Sequence, residues 1–257
     1  MILKVLSAVA IAGSALLALK VAKKAVLNKR AKGKKAAVIL SGCGYLDGSE
    51  TTESIAVLVS LAELGIEAVV FAPDATSAVV DHQSCKSLGY APRHMMQEAA
   101  RLSRGGVKAL NELRAADYDA LVIPGGFGVA KNLSDWATAA SPSEVQVLPD
   151  VRRALEEFSQ AKKPIGLCCI APVLAAVCLK GAKLTVGKGE PGDKWPYAGT
   201  VGQVCGLGAV NVPCEVNEVV VDSDKLLVTT PAYMCAASKD EVFFGVRKMI
   251  QKLAWLL

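Results

Sequence analysis

The sequence has few histidines and few aromatic residues, and its cysteines form no metal-binding pattern. It contains two His and eight Cys, with aromatic residues making up 5% of the chain, and neither a CxxC pair nor a Cys/His cluster occurs. Structural zinc sites are built from such clusters, so we expect no bound metal and cysteines that remain reduced thiols. The absence of low-complexity segments, together with 52% hydrophobic residues, excludes a disordered chain.

Acidic residues are absent from the first 35 positions, which divides the chain into two parts. Residues 1–35 carry nine Lys or Arg, and the remainder holds 20 basic residues against 24 acidic ones, although the formal net charge of the whole is +5. A mildly acidic body without interleaved basic and aromatic residues is atypical of phosphate-backbone binding, so we expect no nucleic-acid partner. We therefore predict a leader at 1–35 and a single domain at 36–257.

The leader lacks an uncharged run long enough for an ordinary membrane span. Residues 5–19 are apolar and uncharged, which is 15 residues against the usual requirement of about 20. If Lys4 and Lys20 snorkel, residues 5–22 reach about 27 Å and nearly cross a thin bilayer. Three interpretations stay open: a mitochondrial presequence, an uncleaved signal anchor and a secretory signal peptide. We expect a mitochondrial protein in which an N-terminal apolar helix precedes the domain, with residues 5–22 as a candidate membrane anchor.

The body alternates short apolar runs with amphipathic stretches, a pattern typical of βαβ units around a mostly parallel sheet. Strands are predicted at 36–41, 67–72, 120–124, 164–168, and 219–222 with 226–229. Helices are predicted at 53–64, 96–103, 150–161, 171–179 and 240–256. Long loops are expected at 134–149 and 187–200. The sequence thus predicts an α/β domain with a mostly parallel sheet.

Three of the predicted strands are followed by segments with unusual chemistry. These segments are SGCG with DGSE (41–50), PGGFG (124–128) and GLCCIAP (166–172). Ligands gather outside the carboxyl ends of parallel strands, so the three can converge there. Cys169, between an apolar strand and an apolar helix, fits a nucleophile elbow in which the helix N-terminus favours the thiolate. The alternative is that Cys168 and Cys169 are both buried core thiols.

Two further groups could complete a catalytic site around Cys169. The backbone N–H groups of Gly125, Gly126 and Ile170 are candidate oxyanion donors, although a tight turn would explain the glycines equally well. Glu50 is a candidate general acid and base, the alternative being an exposed acid near a helix start.

These segments together resemble the class I glutamine-amidotransferase-like, PfpI-type superfamily. The nearest branch unites mitochondrial glutamine-amidotransferase-like proteins of eukaryotes with the bacterial enhancing lycopene biosynthesis protein. The resemblance covers nearly all of residues 34–257 and rests on VILSGCGYLDGSE (38–50), FAPD (71–74), PGGFGVAKNLS (124–134), KPIGLCCIAPVLAA (163–176), KWPYAGT (194–200) and TTPAYM (229–234).

The resemblance implies a flavodoxin-like three-layer sandwich, with Cys169 as nucleophile, Glu50 as its partner carboxyl and donors at Gly126 and Ile170. Many members place a His directly after the nucleophile, where this chain has Ile170. A Cys-His-Glu triad, and with it true glutaminase chemistry, is therefore not expected. Two further candidates for the lining of the site are His82, in a segment that also resembles the family, and Cys43 as a resolving thiol.

The resulting hypothesis is a cysteine-dependent enzyme acting on small reactive carbonyls such as glyoxal or methylglyoxal, without an organic cofactor. The alternative is a weakly catalytic, membrane-associated interaction or redox-sensing subunit of a mitochondrial or other organellar complex. The resemblance also leads us to expect a homodimer.

Overall fold

The computed structural model describes residue 18 and residues 21–22, 25–89 and 92–257. Its centre is a seven-stranded sheet, whose strands are, in chain order, β1 (Lys35–Ile39), β2 (Glu67–Ala72), β3 (Lys108–Ala109), β4 (Ala120–Ile123), β5 (Ile165–Cys168), β6 (Val220–Asp222) and β7 (Leu227–Thr230). β1, β4, β5 and β7 are continuous apolar or small-residue runs that are buried almost throughout, as strands covered on both faces must be. The predicted strands are confirmed, with ends that differ by one or two residues.

The strand order is β6-β7-β5-β4-β1-β2-β3, and every neighbouring pair is parallel except β6 with β7. The chain leaves β1 toward β2 on one side and later returns to pair β4 with the other side of β1. The sheet therefore has its topological switch point between β1 and β4, and a crevice opens outside the carboxyl ends of these two strands. Within the described part of the chain, three short two-stranded pairs lie outside the sheet: 76–77 with 93–94, 80–81 with 86–87, and 183–184 with 210–211.

The helices are α1 (Thr51–Glu63), α2 (Met95–Ser103), α3 (Phe127–Lys131), α4 (Pro149–Gln160), α5 (Pro172–Cys178), α6 (Gly199–Gly206) and α7 (Lys239–Leu256). α1 packs against α7, and α4 packs against α5. Crossovers between parallel strands are right-handed. The chain moves one way along the sheet from β1 to β2 and the opposite way from β4 to β5, so the two helix pairs lie on opposite faces of the sheet. The result is an α/β sandwich with a mostly parallel sheet.

Two helices lie where no helix is expected from the sequence. α3 and α6 have the sequences FGVAK and GTVGQVCG, and glycine disfavours helix by about 1 kcal/mol per residue relative to alanine. Tertiary packing forms them nevertheless. The loop expected at 187–200 extends only to Ala198, and the loop expected at 134–149 contains a short 3₁₀ turn at Pro142–Glu144.

The leader is described only at its C-terminal end. Residues 25–31 are helical, and Leu27 and Ala31 are buried in the core. Among the residues with described positions, no helix has both the length and the apolar character needed to cross a bilayer. The apolar helix predicted for residues 5–22 falls almost wholly outside the described residues, so it stays a prediction.

Candidate active site

The three segments singled out in the sequence meet at the carboxyl ends of β1, β4 and β5, next to the switch point. Asn132, just after α3, holds the first segment in place: its Nδ2 donates to the carbonyl oxygens of Ser41 and Asp47, at 3.1 and 2.9 Å. The Glu50 N–H donates to the Gly125 carbonyl at 3.0 Å, which ties the first segment to the second. The N–H of Cys169 donates to Thr230 O at 3.1 Å and so anchors the third segment to β7.

Cys169 occupies a strained turn between β5 and α5. Its φ is +61°, a left-handed conformation that is uncommon for a residue with a side chain. Strand β5 ends at Cys168, and Pro172 begins the helix with a φ that suits a first turn. The side chain of Cys169 is 8% exposed and lines a cavity. This arrangement is a nucleophile elbow, in which backbone strain presents one thiol to the cavity.

The backbone N–H groups of Gly126 and Ile170 face the Cys169 sulfur and lower its pKa by hydrogen bonding. Gly126 has φ +102°, and a Cβ there would collide with the backbone of Gly48 and Ser49. The N–H of Gly125 has a different role, since it donates to Oε2 of Glu53 at 2.8 Å. Two of the three candidate oxyanion donors are therefore directed at the thiol, and the third holds a carboxyl group.

That carboxyl group, Glu53, is the functional residue that the sequence reasoning missed. It is completely buried, and its side chain forms a hydrogen bond with the Cys169 thiol. Its Oε1 also accepts the N–H of Tyr233 at 3.4 Å, and its Oε2 accepts a hydrogen bond from the thiol of Cys168 at 3.7 Å. Burial and the negative charge of Glu50 raise the pKa of Glu53 to about 7. Glu53 can therefore accept or release a proton at neutral pH.

Glu50 has a different environment from Glu53, although the two lie one helical turn apart. It caps α1 by accepting the N–H of Glu53 at 2.7 Å, and it lines the cavity. The site thus contains two carboxyl groups, Glu53 buried against the thiol and Glu50 facing the cavity. Neighbouring carboxyl groups in contrasting environments are a common arrangement for separate acid and base roles.

The thiol of Cys169 is harder to ionise than the elbow alone would predict. Burial raises its pKa well above the ordinary value, and the adjacent charge of Glu53 raises it further, while the Gly126 and Ile170 N–H groups act in the opposite direction. Two buried anions side by side are unfavourable, so Glu53 and Cys169 are not both ionised around neutral pH. Burial and the charge of Glu53 therefore oppose the effect by which a helix N-terminus favours the thiolate.

The cavity in front of Cys169 has a volume of about 480 Å³. The residues that line it lie mainly in the first segment, in α3, and in residues 196–200 and 233–237. Gly126 and Ile170 also line it, so the two donors are accessible to a bound molecule.

Cys43 and His82 do not line this cavity. Cys43 is half-buried and faces α2, where burial raises its pKa. His82 packs edge-on against Tyr45, with ring centroids 5.2 Å apart, and its Nε2 accepts the Leu46 N–H at 3.3 Å. His82 therefore supports the loop that carries Tyr45, which does line the cavity. Within the described parts of the chain, no group of three or more His, Cys, Asp or Glu side chains is arranged to hold a metal ion.

No family model matches the chain, but curated relatives and solved structures do. Over 221 residues the chain is 45% identical to the "ES1 protein homolog, mitochondrial" of Rattus norvegicus. It is equally similar to the "Glutamine amidotransferase-like class 1 domain-containing protein 3, mitochondrial" of Homo sapiens. Each match covers 85% of this chain and 82% of the relative.

Among solved structures, an isoprenoid biosynthesis protein with an amidotransferase-like domain from Ehrlichia chaffeensis matches with a TM-score of 0.77 and 34% identity, over 87% of this chain and 100% of the other. The Rapid Encystment Protein 24 KDa of Francisella tularensis has a TM-score of 0.56 at 12% identity, over 86% of this chain and 99% of the other, and supports the fold alone.

The fold and the cysteine elbow, together with these relatives, define a glutamine-amidotransferase-like α/β protein, as the resemblance predicted. Within that class, the chain belongs to the family of the ES1 proteins and glutamine amidotransferase-like class 1 domain-containing protein 3.

Proposed function

We propose that the protein is a cysteine-dependent enzyme that converts reactive 2-oxoaldehydes to 2-hydroxy acids. The observation that carries the proposal is the buried carboxyl of Glu53 beside the thiol of Cys169, beneath a cavity that is also lined by Glu50, Gly126 and Ile170. An added organic cofactor or metal is not needed for this chemistry.

The first step is attack of sulfur on the aldehyde carbon. As the C–S bond forms, Glu53 takes the thiol proton and the carbonyl π electrons move to oxygen. The N–H groups of Gly126 and Ile170 hold that oxyanion until it is protonated, which gives a hemithioacetal.

The second step moves hydrogen within the hemithioacetal. Glu50, on the cavity wall, removes the C1 proton and returns a proton to C2, so that the enediol becomes the thioester of a 2-hydroxy acid. Water then cleaves the C–S bond of the thioester, and the thiol recovers its proton. The net reaction adds one water to the dicarbonyl, so no oxidant or reductant is required.

Glutaminase chemistry has less support. Ile170 stands directly after the nucleophile, where a triad would need an imidazole, and neither described His side chain reaches the cavity. The carboxyl groups therefore carry the proton transfers in this proposal.

We also propose that the protein acts in mitochondria. The names of both mammalian relatives include that location, and residues 1–35 carry nine basic side chains without an acidic one. Co-localisation of a C-terminally tagged full chain with a mitochondrial marker tests this, and a signal confined to another compartment would contradict it.

The activity is tested by following conversion of methylglyoxal and phenylglyoxal to their 2-hydroxy acids by NMR. We expect Cys169→Ser to abolish turnover and Glu50→Gln to lower it at least 100-fold, because the nucleophile and the proton shuttle are lost. Cys205→Ser and Glu112→Gln change exposed side chains outside the cavity and serve as matched controls. Turnover that survives in folded Cys169→Ser would refute the proposal.

A further inference from the structure

We propose that the cavity selects uncharged carbonyl compounds with an aromatic or bulky apolar group over small or anionic ones. This inference rests on the proposed function for the identity of the reacting group, and on the cavity itself for the rest of the ligand.

The cavity is larger than a small dicarbonyl compound requires. The cavity volume of about 480 Å³ is within the range of pockets that hold drug-sized molecules. A water molecule takes about 30 Å³ of liquid, so methylglyoxal would leave most of this space filled with water. A ligand with a ring attached to the dicarbonyl would displace that water from the apolar walls, and this displacement favours binding.

Aromatic side chains are concentrated around the cavity. The chain has only 13 Phe, Trp and Tyr residues, and five of them line this cavity: Tyr45, Phe127, Trp136, Tyr197 and Tyr233. Phe127 and Tyr197 meet edge to face, with ring centroids 6.4 Å apart, and each is more than a third exposed. Exposed rings that converge on a cavity offer edge and face contacts to an aromatic ligand.

The charged side chains of the cavity disfavour an anionic ligand. No Lys, Arg or His side chain lines the described cavity, whereas Glu50 faces into it. The Nζ of Lys131 lies 5.3 Å from the centroid of the Phe127 ring, but it already donates to the Leu46 carbonyl at 3.2 Å. A carboxylate or phosphate beside Glu50 would find no cation among the lining side chains, and an unpaired charge in an apolar site is unfavourable. The cavity therefore disfavours anions.

The proposed reacting groups are concentrated at one end of the cavity. Cys169, Glu50 and the N–H donors of Gly126 and Ile170 lie together at the convergence of β1, β4 and β5. Most of the remaining lining is aromatic, aliphatic or alanine, and Thr200 and Cys235 add a hydroxyl and a thiol. A ligand is therefore oriented with its carbonyl at the thiol and its apolar group among the rings.

Binding is tested in the full chain carrying Cys169→Ser, which prevents covalent reaction. The probes are phenylacetamide, acetamide and phenylacetate, measured by titration calorimetry. We expect phenylacetamide to bind at least 10-fold more tightly than acetamide and than phenylacetate. Equal affinity for the two amides, or tighter binding of the anion, would overturn the proposal.

Two variants assign the preference to the cavity. Phe127→Ala in the same background is expected to weaken phenylacetamide binding at least 5-fold. Phe244→Ala removes a ring that is 55% exposed and lies outside the cavity, and it should leave binding unchanged. Glu50→Gln should reduce the difference in affinity between phenylacetamide and phenylacetate, because it removes the negative charge that disfavours the anion. Equal effects of Phe127→Ala and Phe244→Ala would contradict the assignment.

The two proposals fail separately. Binding of phenylacetamide without turnover of any 2-oxoaldehyde refutes the proposed reaction and keeps the cavity preference. Turnover with kcat/KM for methylglyoxal equal to or above that for phenylglyoxal keeps the reaction and refutes the preference.

Discussion

Glu53 is the residue on which the chemistry of the site depends most. It follows the capping residue Glu50 by one helical turn and shares the buried stripe of α1 with Ala56, Val57 and Leu61. An acid in line with an apolar stripe, at spacings of three and four residues, points to the core. This periodicity is visible in the sequence and could have identified Glu53. Its contacts with Gly125, Tyr233 and Cys169 could not be predicted, because they depend on three separate strand ends.

Glu53 also makes stability depend on pH. Burial raises its pKa from the ordinary 4.5 to about 7, so the folded protein keeps a proton that the unfolded chain loses. The resulting stability is fully present below pH 4.5 and is lost as the pH rises to about 7, a loss of about 3 kcal/mol. We expect urea unfolding to show this fall in wild type and a flatter profile in Glu53→Gln. Identical profiles would contradict the assigned pKa.

Gly126 is required for its backbone conformation and for its missing side chain. Its φ is +102°, and a Cβ would collide with the backbone of Gly48 and Ser49. We expect Gly126→Ala to move the oxyanion donor and to lower turnover at least 10-fold, while Gly202→Ala, on α6 with open space around it, has little effect. Steady-state rates of the two variants, compared after circular dichroism has verified folding, test this.

At the scale of elements, Asn132 after α3 anchors the loop that leads from β1 to α1. Its two hydrogen bonds to carbonyl oxygens of that loop are part-buried, and their loss costs about 1–3 kcal/mol. Asn132→Ala should therefore lower the midpoint of thermal unfolding and also lower kcat, because the loop carries Glu50. A stability loss with unchanged kcat would show that the loop holds its position without Asn132.

Some strands and helices could be predicted from the sequence, and others could not. Strands β1, β2, β4 and β5 were predictable because burial on both faces requires continuous apolar runs. α3 and α6 were not, since their glycine-rich sequences form helices only through packing with the rest of the fold. The Cys169 elbow was predictable from its position between strand and helix. The aromatic cavity was not, because its five rings are scattered from Tyr45 to Tyr233.

At the scale of the whole molecule, the predicted leader contributes to the core through the described helical residues 25–31. Leu27 is 6% exposed and packs in the core, whereas Val26 is 55% exposed. Leu27→Ala should cost about 2–4 kcal/mol of unfolding free energy, and Val26→Ala should cost less than about 0.5 kcal/mol. Denaturant unfolding compares them, and equal effects would place Leu27 outside the cooperative unit. The membrane anchor at 5–22 and the homodimer stay predictions.

The most direct test of the account is alkylation of Cys169 across pH, read by mass spectrometry in wild type, Glu53→Gln and Glu50→Gln. Because the charge of Glu53 raises the pKa of Cys169, we expect Glu53→Gln to lower the apparent pKa of the thiol and to speed alkylation at neutral pH, although it lowers turnover. Glu50→Gln should change alkylation much less. If Glu53→Gln leaves the alkylation profile of Cys169 unchanged, the carboxyl of Glu53 does not act on the thiol, and the proposed mechanism fails.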